Sequence, residues 1–286
     1  MTKRWWLSLA AVAATGLAVG GATLFSWTIS ETQFDRPDPR FDRLTAQVAD
    51  LPGVSAPESS RWVEAPVFAD PTSWIGVDVD PAGLAALLDI ACSTDYEDPV
   101  SWSVRVQTDA GTTVAVNSPA DERPAGARCP DFGVDPAGLL APLDSTVRGL
   151  ELQAAVWPDA DGGGHLALTA LEDPADIADL LPLVARAEDL RAAAGVAAGS
   201  PVEISGVHLS VLVLPGEQER YAELLAELVA RHGVTGYFSG APGTQIDGVD
   251  KVQLVAPENE HAAIEETIGR SGLHVAELPV RFLPES

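Results

Sequence analysis

Hydrophobic and polar positions alternate between two periods along the chain from residue 41 onward. Apolar residues within 41–51 follow a helical period, whereas 73–79 (SWIGVDV) is typical of a strand. Apolar residues within 84–91 then recur at i, i+3, i+4 and i+7, which predicts a helix with one apolar face. The segment 101–117 has a period of two on both sides of a short turn, which predicts a hairpin. The pattern predicts an α+β protein.

One eleven-residue pattern occurs twice. Residues 79–89 read VDPAGLAALLD and residues 134–144 read VDPAGLLAPLD, so nine of the eleven positions agree. In each copy Asp is a suitable N-cap and Pro a suitable first helical residue. We interpret the copies as two equivalent helix starts and not as two ligand sites. Pro142, present in the second copy only, is expected to kink or shorten its helix.

The order of the predicted elements indicates a known topology. With a further strand at 150–157, it reads strand, helix, strand, strand, helix, strand, which is the order of a ferredoxin-like βαββαβ unit. A helix over 175–194 and an extended segment over 202–214 begin a second half that repeats the scheme. We therefore predict two tandem ferredoxin-like modules with antiparallel sheets, over 41–172 and 173–286.

The first 40 residues differ from the rest. Lys3 and Arg4 precede 5–29, which contains no charged residue and as a helix would span about 37 Å, more than the ~30 Å core of a bilayer. We predict a membrane anchor over 1–29, with a cleaved signal peptide as the alternative, and a stalk over 30–40. The charges on either side place the N-terminus in the cytoplasm and the body outside it, in a single-pass protein of the cell membrane.

Charge limits the classes of partner. The chain has 42 acidic and 17 basic residues, for a net charge of −25, which disfavours nucleic-acid binding because phosphate backbones are repelled. Apolar residues make up 46% of the 286 residues, enough to bury a core. The expected partners are the membrane, through the N-terminal helix, and another protein of the bacterial cell envelope.

Cys92 and Cys129 are the only cysteines. An even number of cysteines in a protein on the oxidising side of the membrane favours a structural disulfide. Free buried thiols and a redox pair are the alternatives, although a redox pair usually has a CxxC spacing, which this chain lacks.

Sequence motifs for catalysis or metal binding are absent. The five histidines form no HExxH or HxxEH motif, and there is no GxSxG, SxxK or phosphate-binding glycine loop. His261 shares a helical stripe with apolar residues and is expected to be packed. Asp159 and Asp161 precede three glycines like the start of a calcium loop, but Ala170 stands where the closing carboxylate belongs. We predict no catalytic, cofactor-binding or metal-binding residue.

Tryptophans on predicted strands are the remaining feature. Trp62, Trp74, Trp102 and Trp157 would form a platform for sugar rings or peptides if they shared an exposed sheet face, and core packing is the alternative. The leading hypothesis is a membrane-anchored, non-enzymatic binding module outside the cytoplasm. The alternatives are a hydrolase or transferase that uses carboxylates and a calcium-dependent binder.

Overall fold

The computed structural model describes residues 33–64, 70–120, 129–158, 163–171, 176–240 and 248–284. In this part of the chain, twelve strands form one mixed sheet accompanied by seven α-helices. The strands are β1 Gln33–Asp35, β2 Val54–Glu64, β3 Thr72–Val79, β4 Val100–Gln107, β5 Thr113–Ser118, β6 Glu151–Pro158, β7 Gly164–Ala170, β8 Val202–Ser205, β9 Leu209–Val213, β10 Gly236–Ser239, β11 Val252–Val255 and β12 Val280–Leu283. The helices are α1 Pro39–Ala49, α2 Pro81–Ser93, α3 Pro136–Thr146, α4 Ile177–Ala185, α5 Ala187–Ala193, α6 Gln218–His232 and α7 His261–Arg270.

The twelve strands lie side by side in chain order. From β3 onward two kinds of neighbour alternate. Strands joined through a helix pair in parallel, and strands joined directly pair in antiparallel fashion. The last strands continue the alternation. The chain thus builds the sheet from five successive βαβ units: β3–α2–β4, β5–α3–β6, β7–α4–α5–β8, β9–α6–β10 and β11–α7–β12.

The predicted tandem ferredoxin-like modules with antiparallel sheets are wrong. The elements β3 to β6 do occur in the order βαββαβ, but β3 pairs directly and in parallel with β4, with Trp74 opposite Ser101. A split βαβ unit would place another strand between the two. The next pair behaves in the same way, with Thr113 opposite Glu151. The order of elements predicted from the sequence therefore did not determine which strands pair.

Two strands that the sequence pattern did not predict make the sheet continuous. β2 is polar and mostly exposed, and β7 follows a glycine-rich segment. β7 pairs antiparallel with β6 and parallel with β8, so the sheet continues past the predicted boundary between 41–172 and 173–286. The division of the chain into these two regions as domains stays a prediction.

Three other elements differ in their bounds. The predicted helix over 175–194 is two helices, α4 and α5, which meet at Arg186, where φ is −118°. The extended segment 202–214 is the antiparallel pair β8 and β9. Near the end of the chain, a 3-10 turn, His274–Glu277, precedes the short strand β12.

The predicted single-pass topology is corrected by the structure. Among the residues described, no helix has both the length and the apolar character needed to cross a membrane. A protein of the cell membrane with a cytoplasmic N-terminus and an outer body is therefore not supported. The predicted span, 1–29, lies outside the described residues. In the predicted stalk, 30–40, residues 33–35 instead form β1 and residues 39–40 begin α1.

The helices form one layer on one face of the sheet. Contacts run in sequence from α1 to α2, α3, α5, α4, α6 and α7. Strand β4 agrees with this arrangement, because Trp102 and Val104 are buried while Ser101, Ser103 and Arg105 are not. Alternation of this kind marks a sheet with one face on the core and one face free of it. Strands β7 to β9 bury residues on both faces.

Each copy of the repeated motif begins a helix, as predicted, and docks on the end of another helix. In the first copy, the Asp80 N–H donates to the Gly53 carbonyl at 2.8 Å, just after α1. A Cβ atom on Gly83 would stand 2.7 Å from the Pro52 carbonyl oxygen, closer than Cβ atoms come to other atoms. The glycine of this copy is therefore needed for the contact between two backbones.

The second copy docks in the same way at the end of α5. The Asp135 N–H donates to the Ala194 carbonyl at 2.8 Å, and a Cβ on Gly138 would overlap the Ala193 carbonyl oxygen. Pro142 lies inside α3, which has 11 residues against the 13 of α2. The repeated motif therefore forms the same contact, between the start of one helix and the end of another, at two places in the fold.

Candidate functional site

The sheet face away from the helices, called the open face below, is lined mainly by uncharged side chains. Residues that are register partners in neighbouring strands share a face. The row that crosses the open face is Asp78, Arg105, Ala115, Gln153, Thr169, Ser205, Ser210, Phe238, Gln253 and Arg281. Amide and hydroxyl groups occupy most of the middle of this row, so it offers hydrogen bonds with little net charge.

Charges near the first strands of the row are paired. Arg105 Nε lies 3.6 Å from Asp78 Oδ1, and its Nη2 lies 3.2 Å from Glu151 Oε1. Because Arg105 and Asp78 are about half exposed, these pairs contribute little to stability. They do compensate the charge of Arg105 on this part of the open face.

Three of the four tryptophans considered in the sequence lie on the open face. Trp62 is the register partner of Thr72, Trp74 lies two residues further along β3, and Trp157 lies four residues beyond Gln153 on β6. Trp102 points the other way and is 2% exposed in the core. The strand register therefore shows which tryptophans could form a platform and which one belongs to the core. The sequence pattern could not make this distinction.

The indole of Trp74 leans over its neighbour in β3, Gly76. Its six-membered ring covers Gly76, where a Cβ atom would stand 2.6 Å from two ring carbons. The indole Nε1 donates to the Ser103 hydroxyl at 3.0 Å. The hydrogen bond and the space over Gly76 fix the ring, and Trp74 remains partly exposed.

Trp74 and Trp157 lie on the same face of the sheet, with small residues between them. Their strands, β3 and β6, are three places apart in the sheet, which corresponds to about 14 Å between backbones at the usual strand spacing. The register of β5 and β6, which pair as far as Ala115 and Gln153, brings the two tryptophans to the same height when it is continued. The side chains around and between them are short and polar or small. Together they define what we call the Trp74–Trp157 surface: Trp74, Ser101, Ser103, Asn117, Ala155 and Trp157.

A cavity of about 640 Å³ adjoins this surface at Ser101. Its lining includes Thr72 and Asp98. Asp98 Oδ2 accepts from Arg61 Nη2 at 2.9 Å, and Arg61 Nε donates to the Tyr96 hydroxyl at 2.9 Å. The cavity gives the otherwise open surface a recess with a fixed polar wall.

A buried histidine and glutamate lie beside Trp157. His165 Nε2 is 3.1 Å from Glu203 Oε2, and the two residues are 3% and 6% exposed. The ring of Trp157 approaches His165 edge-on, with centroids 6.3 Å apart. No sequence pattern marks this pair, because its members are 38 residues apart and belong to no motif. The pair fixes the position of Trp157 from one side.

Other histidines have structural partners. His261, predicted to be packed, stacks on Phe282 with ring centroids 3.5 Å apart. His232 Nδ1 lies 2.9 Å from a Glu260 carboxylate oxygen. His274 Nδ1 lies 2.6 Å from Glu217 Oε2. These contacts join neighbouring elements.

Cys92 and Cys129 lie at disulfide distance, with their Cα atoms 4.1 Å apart. The bond would tie the end of α2 to the segment that leads to α3. Neither cysteine contributes to the Trp74–Trp157 surface. The arrangement matches the predicted structural role.

The two alternatives based on acidic residues stay predictions. Asp159 and Asp161 lie outside the described part, so the calcium loop stays a prediction. Within that part, no group of three or more His, Cys, Asp or Glu could hold a metal ion. The Arg40 N–H lowers the pKa of Asp38, and the Thr108 hydroxyl lowers that of Asp144, opposite to the shift that a general acid requires.

Comparison with known proteins does not assign a function. The chain matches no protein-family model, and searches of curated proteins and of solved structures give no match.

Proposed function

We propose that the protein is a non-enzymatic binding module whose binding surface is the open face of the sheet. The observation that carries the proposal is the placement of Trp62, Trp74 and Trp157 on the face that the helix layer leaves uncovered. Exposed indoles on a rigid surface combine a large apolar contact area with little loss of side-chain entropy on binding.

The middle of a sheet favours recognition by side chains. The backbone N–H and C=O groups of β4 already pair with β3 and β5, so a ligand over β4 must be held by side chains. Ser103 and Asn117, which are register partners, supply a hydroxyl and an amide at the centre of the Trp74–Trp157 surface. The indoles would supply contact area, and the hydroxyl and the amide would orient the ligand through hydrogen bonds.

Photo-crosslinking in the cells that produce the protein tests this proposal and does not require the ligand to be identified beforehand. Asn117 is replaced by p-benzoylphenylalanine, and after irradiation the covalent adduct is identified by mass spectrometry. A matched control carries the same residue at Ala141, which is exposed on α3 in the helix layer.

The expected result is one recurrent adduct at position 117 that position 141 does not yield. Equal labelling at both positions, or none at position 117, would show that the open face is not a binding surface.

A further inference from the structure

We infer that the ligand of the open face is a neutral oligosaccharide, held across the Trp74–Trp157 surface. The inference rests on the proposed binding function and names the chemical class of the ligand. It follows from three features of the surface: indole rings that lie open, hydroxyl and amide groups between them, and ion pairing of the charges at its margin.

The indole of Trp74 is prepared for stacking. Its six-membered ring lies over Gly76, and its Nε1 is occupied by the Ser103 hydroxyl. What it offers to a ligand is therefore the outer π face and not a hydrogen bond. Pyranose rings have an apolar face of C–H groups that packs on such a surface, while their hydroxyls point to the sides.

Hydroxyl and amide groups stand where the sides of a stacked ring would lie. Ser103 Oγ accepts from the indole, so its own proton is available for donation to a ligand oxygen. The exposed amide of Asn117, next to Ser103 on β5, both donates and accepts. Ligands rich in hydroxyl groups fit this mixture, since each hydroxyl also donates and accepts.

The second indole sets the length of the ligand. Trp157 is 45% exposed, and its strand lies about 14 Å from that of Trp74 across β4 and β5. A single sugar ring cannot reach both indoles, whereas a short chain of rings can. The ligand is therefore an oligosaccharide or a segment of a polysaccharide.

Charge selects a neutral ligand. Arg105, the cation next to the Trp74–Trp157 surface along β4, already pairs with Asp78 and Glu151. The whole chain has a net charge of −25, which repels anionic polymers. An acidic glycan would have to compete with these carboxylates for the guanidinium and would be repelled by the protein as a whole.

An extended peptide fits the surface less well. A peptide has an amide N–H and a carbonyl at every residue, and these bind best to an unpaired sheet edge. At the Trp74–Trp157 surface β4 is paired on both sides, with β3 and with β5, so peptide groups lying over it would lose water without a partner.

The test is an array of neutral and acidic glycans together with a library of unstructured decapeptides, probed with the full-length protein. Glycans that bind are then titrated as hexasaccharides, with tryptophan fluorescence as the readout. We expect at least one neutral glycan to bind. Trp74→Ala should weaken its binding about tenfold, because the stacking platform is lost. Ser103→Ala, a smaller change, should weaken it about threefold.

Phe34→Ala is the matched control. Phe34 is 44% exposed, and its register partner, Val63, is buried in the core, so it lies on the side opposite to the open face. Its removal should leave glycan affinity unchanged. Circular dichroism of each variant confirms that it is folded.

The outcomes separate the two proposals. A crosslinked adduct at position 117 without any neutral glycan bound would overturn the ligand class and leave the binding function standing. Binding of acidic glycans or peptides alone would also overturn the ligand class. So would glycan binding that Trp74→Ala and Ser103→Ala leave unchanged. No adduct at position 117 would remove the basis of both proposals.

Discussion

Two tyrosines show how single residues set the response of the protein to pH. Tyr221 on α6 and Tyr237 on β10 are completely buried, and the Tyr221 hydroxyl lies 3.1 Å from that of Tyr237 and 2.6 Å from the Ser239 hydroxyl. Burial raises the pKa of Tyr237 to about 12 and that of Tyr221 well above its usual value. Both side chains are thus held in the neutral form.

The raised pKa values predict loss of stability in alkaline solution. The unfolded chain releases the tyrosine protons near pH 10, whereas the folded protein retains them to about pH 12. Between these values the unfolded state binds fewer protons, so the free energy of unfolding falls as pH rises. Denaturant titrations from pH 8 to pH 11.5 should show this fall.

Tyr237→Phe provides the control for the alkaline prediction. Its stability at pH 8 is lower, because a buried hydrogen bond is lost, but its decline above pH 10 should be shallower. A slope equal to that of the parent protein would show that Tyr237 does not cause the effect.

Glycines of the repeated motif provide a second prediction at this scale. Gly83→Ala and Gly138→Ala should each lower the free energy of unfolding by about 1–3 kcal/mol, because the new methyl group meets a backbone carbonyl that cannot move independently. Thermal and denaturant unfolding measure the change. Gly269→Ala is the control.

Gly269 lies in α7, where a Cβ atom added to it would have no neighbouring atom within 4 Å. Its replacement should raise stability by up to about 1 kcal/mol, as alanine favours the helix. Motif glycines that tolerate alanine equally well would contradict the packing explanation.

At the scale of elements, the same βαβ unit is used five times, and its sequence signals are local. The Asp–Pro starts of α2 and α3 are visible in the sequence, and Gly233, which ends α6, has a left-handed conformation with φ of 65°. β7 was missed because its burial is nearly continuous and not alternating, so the period-two signal is absent.

The Cys92–Cys129 pair carries a prediction about how α2 is held. A bond over a separation of 37 residues restricts the unfolded chain, and its loss should lower the free energy of unfolding by about 3–4 kcal/mol. We expect this change when Cys92→Ser and Cys129→Ser are combined. Denaturant unfolding with and without a reducing agent measures it.

Reduction of the parent protein is the control for the cysteine variant. It should give the same loss, and the double variant should not respond to reduction. A parent protein whose stability is unaffected by reduction would show that the bond is not formed.

At the scale of the whole molecule, the continuous sheet and the single helix layer predict one cooperative unfolding transition. The parallel pair β7 and β8 and the contact between Gly138 and the end of α5 both join residues before 172 to residues after it. Separate unfolding of the two regions would have to break both. Circular dichroism and tryptophan fluorescence should give coincident denaturation curves, as in a two-state transition.

Fragments 1–172 and 173–286 supply the contrasting measurement. Because each would expose an unpaired central strand, neither should unfold cooperatively when prepared alone. A cooperative transition in either fragment would contradict the structural continuity.

The sequence by itself determined the local structure: the presence of both helices and strands, the two Asp–Pro helix starts, and the hairpin of β4 and β5. These follow from periodicity, capping and turn residues, which act between neighbours in the chain. Only the tertiary structure decided which strands pair, because a βαββαβ order is compatible with more than one strand arrangement. It also decided that Trp102 enters the core while Trp74 and Trp157 share the open face, since strand register and the position of the helix layer set which side of a strand is covered.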